Sequence, residues 1–136
     1  MTLVDSNVLL DVFSGGEPWV AWSKQQLERA TRRGPVFIND VIYAEISVQF
    51  TVFESLDVVL REILIDVVPT PRPALFLAGK AFRQYRTAGG LRTGVLSDFF
   101  IGAHATVQNI PIVTRDVRRY RYYFPTVELI APEDEG

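Results

Sequence analysis

The chain has 136 residues, with 14 Lys and Arg against 16 Asp and Glu for a net charge of −2, and is 48% hydrophobic. That is enough for one buried core and too little for a second domain, at roughly 100–200 residues per domain. The absence of cysteine and the single histidine, His104, exclude disulfides, a thiolate zinc site, a cysteine nucleophile and any multi-histidine metal site, which leaves oxygen ligands to carry any metal chemistry.

The first element in chain order is a short buried strand, Thr2-Leu3-Val4, that ends in Asp5. A short helix follows over 7–13 and stops at Gly15-Gly16. Trp19, Val20, Trp22, Leu27 and Ala30 then recur at helical spacing between polar residues up to Gly34-Pro35, the pattern of a surface helix with one buried face. Trp19 and Trp22 are read as core or interface residues. Val36-Phe37-Ile38 is a second strand, and Asn39 or Asp40 caps the helix that carries Val41, Ile42, Ala44, Glu45, Ile46, Val48 and Phe50. Leu56, Val59, Leu60, Ile63 and Leu64 predict a further helix over 54–66, ending before Pro69.

Residues 73–88 again have helical spacing, closed by Gly89-Gly90, and a polar connection runs through Thr93-Gly94. Asp98, Ile101, Gly102, Ala103 and Ala105 mark a helix over 95–109 whose small residues permit close approach to a sheet. The β-branched run 110–114 is a strand opening into Arg115-Asp116, and 127–130 a last short strand. Short apolar strands separated by helices define an α/β domain, a central, mostly parallel sheet with helices on both faces in a three-layer α/β/α arrangement. No apolar run reaches the roughly 18 residues of a membrane span, since 56–68 is interrupted by Asp57, Arg61, Glu62 and Asp66. The opening lacks the Lys/Arg-rich start of a secretory signal, so a cytoplasmic location is expected.

Sites in open α/β sheets lie beyond the carboxyl ends of the strands. Asp5 follows one strand directly and Asp116 follows another closely, so parallel strands bring both to one edge whatever their separation in sequence. Glu45 and Asp98 are acids set among apolar neighbours. Four carboxylates in one pocket repel unless a cation favours their ionised forms. All-oxygen ligation suits Mg²⁺ or Mn²⁺, ions that hydrolyse phosphodiesters through activated water. Taken singly, each acid is a helix cap or turn former. It is the set that points to catalysis, and Asp11, Asp40, Asp57 and Asp66 are read as caps or solvated faces.

Val4-Asp5-Ser6-Asn7-Val8-Leu9, the helix acid Glu45, the stretch from Asp98 through Ala105, and Thr114-Arg115-Asp116 resemble the PIN-domain ribonucleases, particularly VapC-type toxins, in order, interval and total length. The resemblance covers nearly the whole chain and implies one PIN-like nuclease domain over 1–132, with a short acidic tail over 133–136. It implies a Mg²⁺- or Mn²⁺-dependent endoribonuclease, the toxin of a toxin-antitoxin pair that inhibits translation and growth. Asp5 and Asp98 become principal metal ligands, Asp116 completes the site directly or through water, and Glu45 binds or orients the attacking water or a second ion. Asn7 and Thr114 support these groups.

The partners implied are an RNA substrate, a second copy in a homodimer, and a small VapB-type antitoxin that occupies the groove through an Arg near the acids. The apolar helices expected over 41–53 and 54–66 form its contact surface. Departures from the family pattern are Asp40 where Ser or Thr is common, and Gly102 and His104 where small alanine-like residues are usual; His104 is read as packing. Arg115, Arg118 and Arg119, interleaved with Tyr120, Tyr122 and Tyr123, are candidates for binding RNA phosphates and stacking bases, or else a solvated, partner-facing patch. Arg83, Arg86 and Arg92 form a second basic group. The alternative is a catalytically silent PIN-like scaffold that binds RNA or protein. A haloacid-dehalogenase-like phosphatase requires a second Asp where Asn7 stands.

Overall fold

The computed structural model describes residues 1–90 and 95–132. Arg92, the Thr93-Gly94 connection and the acidic tail over 133–136 lie outside the described residues. Five strands form one all-parallel sheet: β1 (Thr2–Val4), β2 (Val36–Asn39), β3 (Ile65–Val68), β4 (Ile112–Val113) and β5 (Leu129–Ile130), in the order β3-β2-β1-β4-β5. The chain runs from β1 outward to β3, then crosses back to β4 and continues outward to β5. β1 and β4 therefore flank the point where the winding reverses, the position at which open sheets splay their connections into a crevice. Register fixes the geometry, because Val4 pairs with Val113 and the Asp5 N–H donates to the Val113 carbonyl at 2.9 Å.

The flanking helices are α1 (Ser6–Ser14), α2 (Val20–Arg33), α3 (Asp40–Ile46), α4 (Phe53–Glu62), α5 (Arg72–Thr87), α6 (Leu96–Gln108) and α7 (Arg118–Tyr123). Leu3, Val4, Ile38, Ile112 and Val113 are fully buried between them, as strands of a parallel sheet covered by helices should be. Ala74, Ala78 and Ala81 form the buried stripe of α5 and bring it close against α6, its main helical neighbour. The small residue Gly102 serves a different approach from the one expected. A Cβ there would lie 2.2 Å from the Phe124 ring, so its role is to seat Phe124 after α7 rather than to press α6 onto the sheet. Among the described residues no helix is long and apolar enough to cross a membrane.

Two expected elements are corrected. The helix expected to run on from Val41 to Phe53 stops at Ile46 and becomes a 3-10 turn over Ser47–Gln49. The Ser47 hydroxyl donates to the Ala44 carbonyl at 2.6 Å, competing for the acceptor the next helical N–H would use. The helix expected over 54–66 ends at Glu62, and Leu64, in the left-handed conformation at φ 63°, turns the chain into edge strand β3. The surface expected to receive an antitoxin thus combines a turn, α4 and a strand edge. The basic-aromatic run after Asp116, to which the sequence pattern assigns no element, folds into α7. Asn39, not Asp40, is the α3 cap, accepting from the Ile42 N–H at 2.9 Å. Asp40 instead accepts from Val41 N–H and from the backbone and hydroxyl of Thr70, tying α3 to the loop after β3.

Candidate active site

Asp5 leaves β1 at the switch point and caps α1, with Oδ1 accepting from the Ser6 N–H at 2.7 Å. Its Oδ2 accepts from the Thr114 and Tyr120 hydroxyls, both at 2.8 Å, and from Asn7 Nδ2 at 3.3 Å. Only 3% of the residue is exposed. Burial raises the Asp5 pKa, the hydrogen bonds from Tyr120 and Thr114 oppose that rise, and the Glu45 charge adds to it, leaving the carboxyl above the ordinary range. A carboxylate so fully supplied with donors is fixed in place while remaining electrostatically loaded.

Glu45, on the second turn of α3, is fastened at both oxygens. Ser6 Oγ donates to Oε1 and Ser97 Oγ to Oε2, each at 2.9 Å. Asp98 lies in the first turn of α6. Its pKa is pushed up to about 6, by burial first and then by the Asp5 and Asp116 charges, against the opposing pull of Arg119. Asp116 is exposed, and its N–H donates to Thr114 Oγ1 at 3.1 Å. Asn7 ties the two halves together, since Nδ2 donates to Thr114 Oγ1 at 3.2 Å while Oδ1 accepts from the Arg115 N–H. Asp5, Glu45, Asp98 and Asp116 thus share one electrostatic neighbourhood, and Tyr120 feels three of them as a pKa pushed well above its ordinary value by burial and then by Asp5, Asp98 and Glu45.

Among the described residues no three His, Asp or Glu side chains stand together in metal-holding positions. The donor chemistry nevertheless fits a hard divalent cation: every candidate is a carboxylate, and Asp5 and Asp98 have pKa values raised by burial first and then by neighbouring carboxylates, Glu45 for Asp5 and Asp5 with Asp116 for Asp98. That repulsion is what a bound cation relieves. Among the described residues the one cation paired with these acids is the chain's own, with Arg119 Nη1 donating to Asp98 Oδ2 at 2.7 Å.

The candidate phosphate-binding arginines separate. Arg115 is not directed at the acids; its guanidinium forms a two-pronged pair with Asp11, at 2.6 and 2.9 Å, beneath Trp19. Asp11, expected as a cap or solvated face, is instead only 7% exposed and also accepts from Ser23 Oγ at 2.8 Å. Arg118 is exposed on α7 and Arg119 is bound to Asp98. His104 is fully buried against Phe37, with Nδ1 paired to Asn39 Nδ2 at 3.1 Å, a packing role as expected. Ser6 and Ser97 are missed from sequence, and Tyr120, expected as an RNA-stacking candidate, is instead buried with its hydroxyl on Asp5. Each serine adjoins a candidate acid, a usable signal, but Tyr120 sits in an aromatic run whose burial depends on α7.

The sequence profile of the PIN domain matches residues 2–125. No curated protein matches the chain. The fold is similar to VapBC2 from Rickettsia felis bound to a promoter DNA fragment, with TM-score 0.72 and 16% identity over 97% of this chain and 98% of that one. It is likewise similar to a toxin-antitoxin complex from Klebsiella pneumoniae, with TM-score 0.66 and 21% identity over 93% and 95%. FitAcB from Neisseria gonorrhoeae gives TM-score 0.61 and 19% identity over 95% and 96%.

Proposed function

The chain belongs to the PIN domain family, and on that premise we propose that it is a metal-dependent endoribonuclease, the toxin of a toxin-antitoxin pair. The observation that carries this reading is the convergence of Asp5, Glu45, Asp98 and Asp116 from four separate segments, with Ser6 bonded to both Asp5 and Glu45, Thr114 bonded to both Asp5 and Asp116, and Asp98 close enough to feel the Asp5 and Asp116 charges. Asp5 and Asp98 would hold a Mg²⁺ or Mn²⁺ ion, with Asp116 joining directly or through water. Such an ion, when bound, polarises the phosphoryl oxygen and lowers the pKa of water for in-line attack.

The protein's own part is orientation and proton handling. Thr114 and Tyr120 hold Asp5 Oδ2 in one orientation. Glu45, anchored by Ser6 and Ser97, orients the attacking water and takes its proton, or helps hold a second ion. Asn7 and Thr114 keep the ends of β1 and β4 in register around the pocket. Within this reading the partners are RNA, a second copy of the chain and a small antitoxin. The fold's likeness to toxin-antitoxin complexes supports the antitoxin, as do the exposed Val48, Val52, Phe53, Val58 and Leu64 near α4.

One observation favours the second reading, a silent scaffold that binds RNA or protein: Arg119 already occupies Asp98 Oδ2. The experiment that separates the two is incubation of purified, antitoxin-free protein with RNA in Mg²⁺ or Mn²⁺. Cleavage that stops with EDTA and in Asp5→Asn and Asp98→Asn is expected. Cleavage indifferent to all three removes the proposed site, and metal binding without cleavage favours the scaffold.

A further inference from the structure

Beside the acids lies a cleft of about 310 Å³ lined by Tyr85, Asp116, Arg118, Arg119, Tyr122 and Tyr123. Its size falls at the small end of the roughly 300–1,000 Å³ typical of ligand sites, room for one nucleotide and not for a duplex. Its floor is braced. Tyr123 packs edge-on against Phe99 at 5.1 Å and Tyr85 at 6.2 Å, and Phe99 in turn meets Phe82 and Phe124. Upon that rigid base stands Tyr122, 4.7 Å from the Tyr123 ring and 73% exposed, an aromatic surface for which the protein supplies no cover. Arg118 is exposed on the same helix and makes no ion pair among the described residues.

We propose that this cleft is a subsite for one unpaired nucleotide of single-stranded RNA next to the scissile phosphate, with Arg118 taking a phosphate and Tyr122 stacking on the base. The proposal rests on the nuclease reading for its substrate and extends it to a binding position. Arg119 links the cleft to the chemistry, since the residue that lines it also touches Asp98. Exposed rings stack unpaired bases without regard to sequence, and arginines bind the backbone. The exposed Tyr122 ring offers a stacking face that a base uses and an acidic side chain does not, so the cleft suits a nucleotide better than an acidic peptide.

The test is binding of a fluorescently labelled 2′-O-methyl single strand, which resists cleavage, to the intact protein in EDTA. Arg118→Ala and Tyr122→Ala, both at exposed positions, should each weaken binding about tenfold. Tyr122→Phe should restore it, and Arg118→Ala should flatten the log–log salt dependence by about 0.7. Arg32→Ala, in an exposed ion pair on α2, should bind as the parent does. Unchanged strand binding in Arg118→Ala and Tyr122→Ala, the result expected if an acidic segment belongs there, overturns the proposal. So does a Tyr122→Ala loss that is equal for duplex DNA. A protein that binds the strand through the cleft yet cuts no RNA in Mn²⁺ keeps the subsite and loses the nuclease reading; one that cuts RNA but ignores both substitutions does the reverse.

Discussion

Two arginines four residues apart, Arg115 and Arg119, each pair with an aspartate, and the two pairs behave as different kinds of object. Arg115 grips Asp11 with two hydrogen bonds, its partner is 9% exposed in its side chain, and Ser23 and Trp19 complete the surroundings. That pair joins the loop after β4 to α1 and has its charges answered. Arg119 reaches Asp98 through one nitrogen, the Asp98 side chain is 28% exposed, and Asp98 remains perturbed by burial and by the Asp5 and Asp116 charges. The difference teaches how to separate structure from site: an acid gripped by two hydrogen bonds from one guanidinium reads as scaffold, whereas a paired acid whose pKa is still raised by burial and neighbouring charges is a candidate for function.

Substitutions should break that contrast in opposite ways. The largest effect is expected at the acids, where Asp98→Asn or Asp5→Asn should cut RNA cleavage about 10³-fold, the several kcal/mol a metal contributes to phosphoryl transfer, with little change in urea midpoint. Asp11→Ala should do the reverse, costing about 2–3 kcal/mol of stability by leaving Arg115 unpaired, visible in the same urea titration, while Mn²⁺ affinity is retained. Arg119→Ala sharpens the comparison further. Removing a charge-assisted hydrogen bond of roughly 1.5 kcal/mol that competes for Asp98 should tighten Mn²⁺ binding about tenfold at pH 8, read by calorimetry, and leave folding nearly unchanged.

The smallest effect belongs to a polar group remote from both pairs. Burial holds the His104 pKa below its ordinary value, with Gln108 and Asp40 pulling the other way. The folded state therefore binds a proton less readily than the unfolded chain. Stability should be complete above the unfolded value of about 6.5 and fall as pH drops through it. In His104→Leu the melting temperature should be lower at every pH, because Asn39 loses its partner, but that part of the acid slope should vanish.

Much of this was legible because strand ends are legible. The β-branched, apolar runs at 2–4, 36–38 and 110–114 placed β1, β2 and β4, and parallel winding then brought Asp5 and Asp116 to one edge. β3 was hidden because Ile63 and Leu64 continue the helical spacing of Leu56 and Leu60, and only the left-handed turn at Leu64 ends it. Arg115 and Arg119 are indistinguishable in sequence; their fates are decided by what α1 and α6 present to them. Tyr120 read as a stacking residue because its burial exists only once α7 has packed.

The central claim is that Asp5 and Asp98 hold a divalent cation. A calorimetric Mn²⁺ titration of the parent protein at pH 8, beside Asp5→Asn and Asp98→Asn, tests it most directly. Saturable binding in the parent, weakened at least about tenfold by either substitution, as one lost charged ligand requires, is the predicted result. Equal isotherms for all three proteins would contradict it.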